Sequence, residues 1–340
     1  MSTEKRRLNL DSYDFFAYLI PGVVVAAISV VSLTFWHKKS ISWLYHHVVR
    51  IKDYEYFSLL ILFLVGAYLV GHVVATISAI LYDRIFVKKI FGYPYVALLS
   101  HPTRDIDGLS QNFYRTFVTT LFITLFSFIL MGIKHISVRA TDVTLISTAC
   151  LFVILVLGLT SYWLARYGVK SKQRVFFSVA KGYQTLLSNI LWILSRPFRV
   201  VEILLCHLMG LNTKVPEPIR KRFQSEFKKR FKLTPSEEIS SEIHWLTYWY
   251  VCEKSSNLRE RLHKFLSLYG FTRNIAGAFI VSAFLVSLPA SLRGSAEHLA
   301  FVAIILFFTG IMISIRYYYL YSNYHSRSVY RGLLALADIN

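Results

Sequence analysis

The stretch LVGAYLVGHVVATISAILYDR, residues 64–84, decides the fold of this chain. It belongs to an apolar run, and no Asp, Glu, Lys or Arg occurs in it before Asp83. A helix needs about 20 mostly apolar residues to cross a bilayer. Residues 57–80 satisfy that requirement, so the sequence predicts a membrane-spanning helix here.

Five further runs have the same length and character: 15–36, 114–133, 143–164, 274–291 and 298–315. The chain has 340 residues, of which 55% are hydrophobic, and its mean hydropathy is +0.47. Burying all six runs in a water-soluble core would require a far larger protein. The sequence therefore predicts an all-α, polytopic membrane protein with six spans.

The distribution of charge predicts the orientation. The formal net charge is +19, and residues 165–272 hold nineteen Lys/Arg against eight Asp/Glu, a net of +11. Positively charged segments stay on the cytosolic side of the membrane. We expect both termini in the cytosol. The predicted units are spans one to four (1–164), a basic cytosolic helical domain (165–273), spans five and six (274–315) and a cytosolic C-terminal helix (316–340).

Small and polar residues alternate along the second span. Ala67, Gly71, Ala75 and Ala79 form a row four residues apart, which allows another helix to approach closely in lipid. Tyr68, His72 and Thr76 form a polar row beside it. One interpretation makes this polar row part of a pore or gate. The other makes His72 a neutral imidazole bonded to a neighbouring helix.

The third span carries hydroxyl groups on one face, at Thr116, Thr120, Thr124 and Ser127. Such a row is a candidate lining for a hydrated path. The hydroxyls can equally bond back to carbonyls of their own helix, which needs no water. Both interpretations stay open at this point.

A basic amphipathic helix is predicted at RKRFQSEFKKRFK, residues 220–232. Pro218 suits its first turn, and Ile219, Phe223, Phe227 and Phe231 form one apolar row. The cations on the remaining faces are the candidate anion-binding residues: Arg220, Lys221, Arg222, Lys228, Lys229, Arg230 and Lys232. Downstream, Trp245 and Trp249 are candidates for stacking on bases.

Three kinds of partner fit this helix. A basic amphipathic helix beside the bilayer is attracted to anionic lipid. The same cations also bind the phosphates of a nucleotide or a single-stranded oligonucleotide. An acidic partner protein is the third candidate.

Motifs of the common enzyme classes do not occur in the sequence, which lacks a Gly-rich phosphate loop, GxSxG and HExxH. His101, Asp105 and Asp107 in SHPTRDIDG offer acid–base groups, although this composition is also typical of turns. Cys206, His207, His244 and Cys252 do not have the spacing of a zinc site. We therefore predict a non-enzyme without a metal or cofactor.

Short motifs in the first 95 residues resemble a family of poorly characterised bacterial multi-pass membrane proteins. They are YDFFAYLIPG (13–22), YLVGH (68–72) and FGYPY (91–95). Some such proteins are toxic membrane effectors in anti-phage defence. The architecture is similar to that of oligonucleotide-controlled channel effectors such as the one of the Hailong system. The resemblance implies a homo-oligomeric channel in the inner membrane of a bacterium, controlled by a cytosolic nucleic acid.

Three hypotheses of function follow from these observations. The first is a membrane effector, an oligomeric ion channel or pore controlled by an anionic cytosolic ligand. The second is a non-catalytic membrane anchor or sensor that recruits a cytosolic partner. The third is a lipid-modifying enzyme that uses the His101 loop.

Overall fold

The computed structural model describes a subset of the chain. The described residues are 12–36, 46, 53–91, 108–131, 133, 140–150, 152–153, 156, 185, 189–193, 195–196, 200, 203, 215–233, 240–293 and 297–339. Within them the fold is helical, and no strand occurs. The helical class predicted from sequence is therefore what the structure shows.

The longer helices are named here in chain order. They are α1 (Ser12–Trp36), α2 (Asp53–Ser78), α3 (Gly108–Leu130), α4 (Glu217–Phe231), α5 (Ser240–Lys254), α6 (Ser256–Arg293), α7 (Glu297–Tyr319) and α8 (Arg327–Ile339). Two π-helical segments extend them: π1 (Ala79–Phe91) continues α2, and π2 (Leu320–Ser326) joins α7 to α8.

Five helices are long and apolar enough to cross a membrane. The candidate spans are Phe15–Phe35, Tyr56–Lys88, Asn112–Leu130, Ser256–Pro289 and Glu297–Asp338. Each of them overlaps one of the six predicted spans, which accounts for five of the six. Of the other predicted span, 143–164, residues 143–150 are helical and most of the remainder lies outside the described residues. The orientation of the chain stays a prediction.

Helix α6 is at the centre of the helical bundle and packs against α1, α2, α3 and α7. Five positions of α6 in this region are completely buried and carry small side chains. They are Ala276, Ala278, Ser282, Ala283 and Ser287. Small side chains let neighbouring helices approach closely. Polar contacts add to this packing, since the Ser32 hydroxyl donates to the Leu285 carbonyl at 2.6 Å.

The small residues of α2 face α1, as their spacing predicts. Ala67, Gly71 and Ala75 are buried. A Cβ on Gly22 would lie 1.7 Å from the Ala67 carbonyl oxygen, and a Cβ on Gly71 would lie 1.9 Å from the Tyr18 carbonyl oxygen. The two backbones therefore cross at a distance that only glycine permits.

A second packed unit, here called the module, consists of α4, α5, α8, π2 and the first part of α6. Its core includes Phe227, Tyr248, Val251, Leu262 and Leu333. Helix α5 packs against α8 and α6, and α4 packs against α8. The predicted boundaries at 273 and 315 fall inside α6 and α7, so α6 belongs to both the bundle and the module, and α7 continues through π2 into the module.

Candidate anion-binding surface and its link to the spans

Helix α4 begins and ends where its sequence predicts. Pro216 occupies the N-cap position and Pro218 lies in the first turn, where a missing N–H leaves no hydrogen bond unmade. Lys232 at the C-cap adopts the left-handed region, with φ of 54°, and its N–H donates to the Lys228 carbonyl at 3.0 Å. This is the usual way in which a helix stops, although glycine is more common there.

The apolar row of α4 attaches it to the module. Phe223 and Phe227 are buried. The ring of Phe223 lies 4.8 Å from that of Tyr330 in α8, and the ring of Phe231 lies 5.5 Å from that of Tyr250 in α5. Ile219, which the spacing places in the same row, is 43% exposed. The helix is thus held by its phenylalanines, and its other faces remain at the surface.

The three predicted arginines are engaged by the protein itself. Arg220 is buried and pairs with Glu217. Arg222 pairs with Asp338 near the end of α8. Arg230 donates to the Tyr250 hydroxyl, and its guanidinium lies 5.3 Å from the centre of that ring. Arg222 and Arg230 thus connect α4 to α8 and α5, whereas Arg220 pairs within α4 itself.

The lysines of α4 are differently placed. Lys221, Lys228, Lys229 and Lys232 are exposed. Lys221 is 3.9 Å from Glu217, and its side chain remains 74% exposed. Residues 221 and 228 are two turns apart and so share one side of the helix. The candidate anion-binding surface is this set of four lysines, here called the lysine face.

The predicted stacking residues lie on α5. Trp249 is 63% exposed and Trp245 is 38% exposed, whereas Tyr248 between them is buried. The structure brings α5 to α4 through the contacts of Arg230 and Phe231 with Tyr250. The tryptophans are therefore on a neighbouring helix of the same module, with their rings accessible.

The polar row of α2 faces outward. His72 and Thr76 are exposed and Tyr68 is partly exposed. The His72 ring stacks on Tyr18 of α1 at 4.1 Å between centroids and meets Tyr68 edge-on at 4.6 Å. The Thr76 hydroxyl donates to the His72 carbonyl at 2.9 Å. His72 thus packs against a neighbouring helix by ring stacking, at the edge of the α1–α2 pair.

The hydroxyl row of α3 bonds to its own backbone. Thr116, Thr120 and Thr124 each donate to the carbonyl four residues earlier, at 2.8 Å. Thr116 is buried and also lies 3.3 Å from the Leu191 carbonyl, while Ser127 is buried. These bonds are the alternative that needs no water.

A polar junction between bundle and module was missed at the level of sequence. Asp83 of π1 pairs with Arg273 of α6 and accepts a hydrogen bond from the Tyr317 hydroxyl of α7 at 2.5 Å. Beside it, the Asn274 amide donates to the Ala17 carbonyl of α1 at 3.2 Å. The sequence offered one signal for it. Asp83 follows the apolar run 57–80 by about one turn, and Arg273 directly precedes the run 274–291. The junction therefore ties four helices together at one level.

The module also contains a pair of buried histidines, His244 of α5 and His325 of π2. Their ring centroids are 5.5 Å apart, and both are fully buried. Burial lowers the pKa of His244 well below its usual value, and the neighbouring His325 lowers it further. Burial raises the pKa of the nearby Cys252 thiol.

The remaining chemical candidates are not brought together in the part of the chain that the structure describes. Within it, no group of three His, Cys, Asp or Glu residues is arranged to hold a metal ion. Cys206 and His207 lie outside the described residues, as does the loop with His101, Asp105 and Asp107.

Helices long enough to span a membrane and a basic helical module define the class of this protein. Comparison with known proteins adds no family to that description: no family model, curated protein or solved structure matches the chain.

Proposed function

We propose that the protein is a membrane effector in which an anion bound to the module controls an ion-conducting path through an oligomer. The observation that supports this proposal is the continuity of α6, which runs unbroken over 38 residues from the module into the bundle. Its first part packs against α5, and its later part packs against α1 and α7. A displacement in the module is therefore transmitted directly to the spans.

The lysine face supports an anionic ligand. Ammonium groups on one exposed side of a helix attract a chain of phosphates, and the counterions that they release from the phosphates favour binding. The C-terminal end of α4 carries partial negative charge that tolerates these cations. A short single-stranded oligonucleotide fits this arrangement, because the exposed rings of Trp245 and Trp249 offer stacking surfaces.

The outward polar row of α2 supports an oligomer. An exposed imidazole in an apolar span is costly in hydrocarbon and usually faces protein or water. The side chains of His72 and Thr76 are exposed in the single chain. Equivalent rows from several copies would place Tyr68, His72 and Thr76 around a shared path. In a bacterium, opening that path in the inner membrane would dissipate ion gradients.

A second candidate function is an anchor or sensor at the lipid surface. It is favoured by the exposed group Trp245, Leu246 and Trp249 on α5. Tryptophan concentrates at membrane interfaces, where one side of its ring is apolar and its N–H reaches water. In this alternative the lysine face contacts anionic headgroups, and the protein conducts no ions.

The decisive measurement is ion flux from liposomes containing the purified protein, with and without a short single-stranded oligonucleotide. We expect the oligonucleotide to change the flux of the unaltered protein. We expect no such change for the combined variant Lys221→Glu, Lys228→Glu and Lys229→Glu. The binding constant K of the oligonucleotide should also depend less on salt in this variant, because phosphate contacts are lost. The negative slope of log K against the logarithm of the salt concentration should become shallower by about 2.

A matched variant carries the same change of charge elsewhere on the module, with Lys254→Glu, Arg261→Glu and Lys264→Glu. These side chains are also exposed, and we expect this control to respond to the oligonucleotide like the unaltered protein. If the liposomes release no ions with the oligonucleotide, with polyphosphate or without any added anion, the channel is excluded. If, in addition, the protein associates only with vesicles of anionic lipid, the anchor or sensor at the lipid surface is favoured.

A further inference from the structure

The buried histidine pair lies in an aromatic core shared by three elements. His244 comes from α5 and His325 from π2. The His325 ring is 5.7 Å from that of Tyr248 and 5.9 Å from that of Tyr321. π-Helical turns frequently occur at functional sites, and π2 places His325 directly opposite His244. Two buried imidazoles therefore lie in contact where α5 packs against π2.

The surroundings of the pair favour neutral rings. The titratable or charged side chains that pack on this core or act on it electrostatically include Tyr248, Cys252, Tyr321, His263, Tyr330 and Arg259. None of these side chains is a carboxylate. A proton added to either imidazole would thus be a buried positive charge facing a second histidine.

The same core supports the basic helix. The ring of Tyr330 lies 5.9 Å from that of His244 on one side and 4.8 Å from that of Phe223 on the other. Phe223 is one of the two buried phenylalanines that attach α4. A change in spacing at this core therefore reaches α4 through the Tyr330 ring, in addition to the direct contacts of Phe231 and Arg230 with Tyr250.

We propose that the His244–His325 core is an acid-sensitive switch, in which protonation separates α5 from π2 and α8 and loosens the attachment of α4. The separation is a property of the module alone. Its consequence for ligand control rests on the proposed function, because α4 carries the lysine face.

The sign of the pH dependence follows from burial. A histidine whose pKa is lower in the closed module than in the open one stabilises the closed module above about pH 6.5. That stabilisation is lost as the pH falls below about 6.5. Below that pH, each such histidine raises the equilibrium constant for opening about tenfold for every unit by which the pH falls. At about pH 5, one histidine therefore raises this constant about 30-fold above its value at neutral pH.

The buried thiol of Cys252 reports opening of this core. Cys252 is 4% exposed and lies on α5, two turns beyond His244. In full-length protein with Cys150→Ser and Cys206→Ser, we would measure the rate at which 4,4′-dithiodipyridine modifies Cys252 at neutral and at acid pH. This reagent reacts with thiols in acid, and the rate for glutathione under each condition corrects for its intrinsic chemistry. We expect the corrected rate to rise at least about tenfold on acidification.

The same measurement on His325→Phe isolates the pair, since this change keeps an aromatic ring that cannot be protonated. We expect a smaller acid response than in the unaltered core, because only His244 remains to be protonated. The double variant His244→Phe and His325→Phe should be modified slowly at both pH values, and His325→Gln provides a second variant if the phenylalanine disturbs packing. His298→Gln removes an exposed histidine of α7 and should leave the acid response intact. A flat rate in the unaltered core would overturn the proposal, as would an equal acid response in folded His325→Phe or His325→Gln protein. No anion or flux enters this assay, so its outcome is independent of the channel test.

Discussion

At the residue scale, glycine decides how closely α1 and α2 pack. The small row of α2 was readable from spacing alone, because residues four apart share a helix face. Its partner could not be read, since Gly22 contacts Gly71 only through the crossing of two separate helices. Sequence thus predicts that a helix has a close-packing face but leaves open which helix it meets.

The contrast between Gly71 and Gly66 provides a test of this crossing. A methyl group on Gly71 would collide with the Tyr18 carbonyl oxygen, whereas a methyl group on Gly66 would meet nothing within 4 Å. We expect Gly71→Ala to reduce stability by about 1–3 kcal/mol, as overpacking does. Gly66→Ala on the same helix should be neutral or slightly stabilising, because alanine favours helix. Thermal unfolding in detergent, followed by fluorescence, measures both; equal effects would contradict the close crossing.

The hydroxyl rows show a different limit. The sequence allowed both a hydrated path and bonds to the helix backbone for Thr116, Thr120 and Thr124. The two arrangements use the same residues at the same spacing, so the pattern cannot distinguish them. The outcome depends on where each hydroxyl hydrogen bonds, and in the structure these three donate to carbonyls of α3.

At the scale of elements, α4 is the part of the module that sequence predicted best. The prolines before it, the phenylalanine row and its end near residue 232 all follow from local chemistry. The division of its cations did not follow, because the partners of Arg222 and Arg230 lie in α8 and α5, far along the chain. The sequence named all seven cations as candidates, and their different contacts become visible only in the packed module.

The phenylalanine row can be tested against its own first member. Phe227 is fully buried and Ile219 is 43% exposed, although both belong to the row that the spacing defines. We expect Phe227→Ala to reduce the free energy of unfolding by about 3–5 kcal/mol, because it leaves a cavity. Ile219→Ala should change it by less than about 0.5 kcal/mol. Chemical unfolding monitored by tryptophan fluorescence compares them, and similar losses would mean that α4 is not packed as described.

At the scale of the whole molecule, the sequence predicted the class of the protein and most of its spans, because apolar runs of bilayer length carry that information. It placed unit boundaries at residues 273 and 315, and in the structure α6 and α7 run through these positions. Hydropathy marks where a run stops being apolar, and a helix can continue past that point.

The junction around Asp83 is the polar connection of these shared helices, and a double-mutant cycle tests it. Asp83→Asn removes the charge of the acceptor, and Tyr317→Phe removes the donor, of the same hydrogen bond. Their effects on thermal stability should be non-additive by about 1–2 kcal/mol, since a bond to a charged group is stronger than a neutral one. Tyr324→Phe, at a partly exposed ring of π2, should be additive with Asp83→Asn. Additivity of the Tyr317 pair would show that the contact carries no energy.

The unbroken α6 also acts as a lever. Its 38 residues measure about 57 Å, against about 30 Å for the hydrocarbon layer of a bilayer. Roughly half of the rod therefore projects beyond the lipid. If the bilayer edge is the fulcrum, a tilt of about 10° moves the projecting tip by about 5 Å, close to one helical turn. In the proposed effector, a small rotation among the spans would thereby produce a larger movement of the module, and a displacement of the module would produce a smaller movement of the spans.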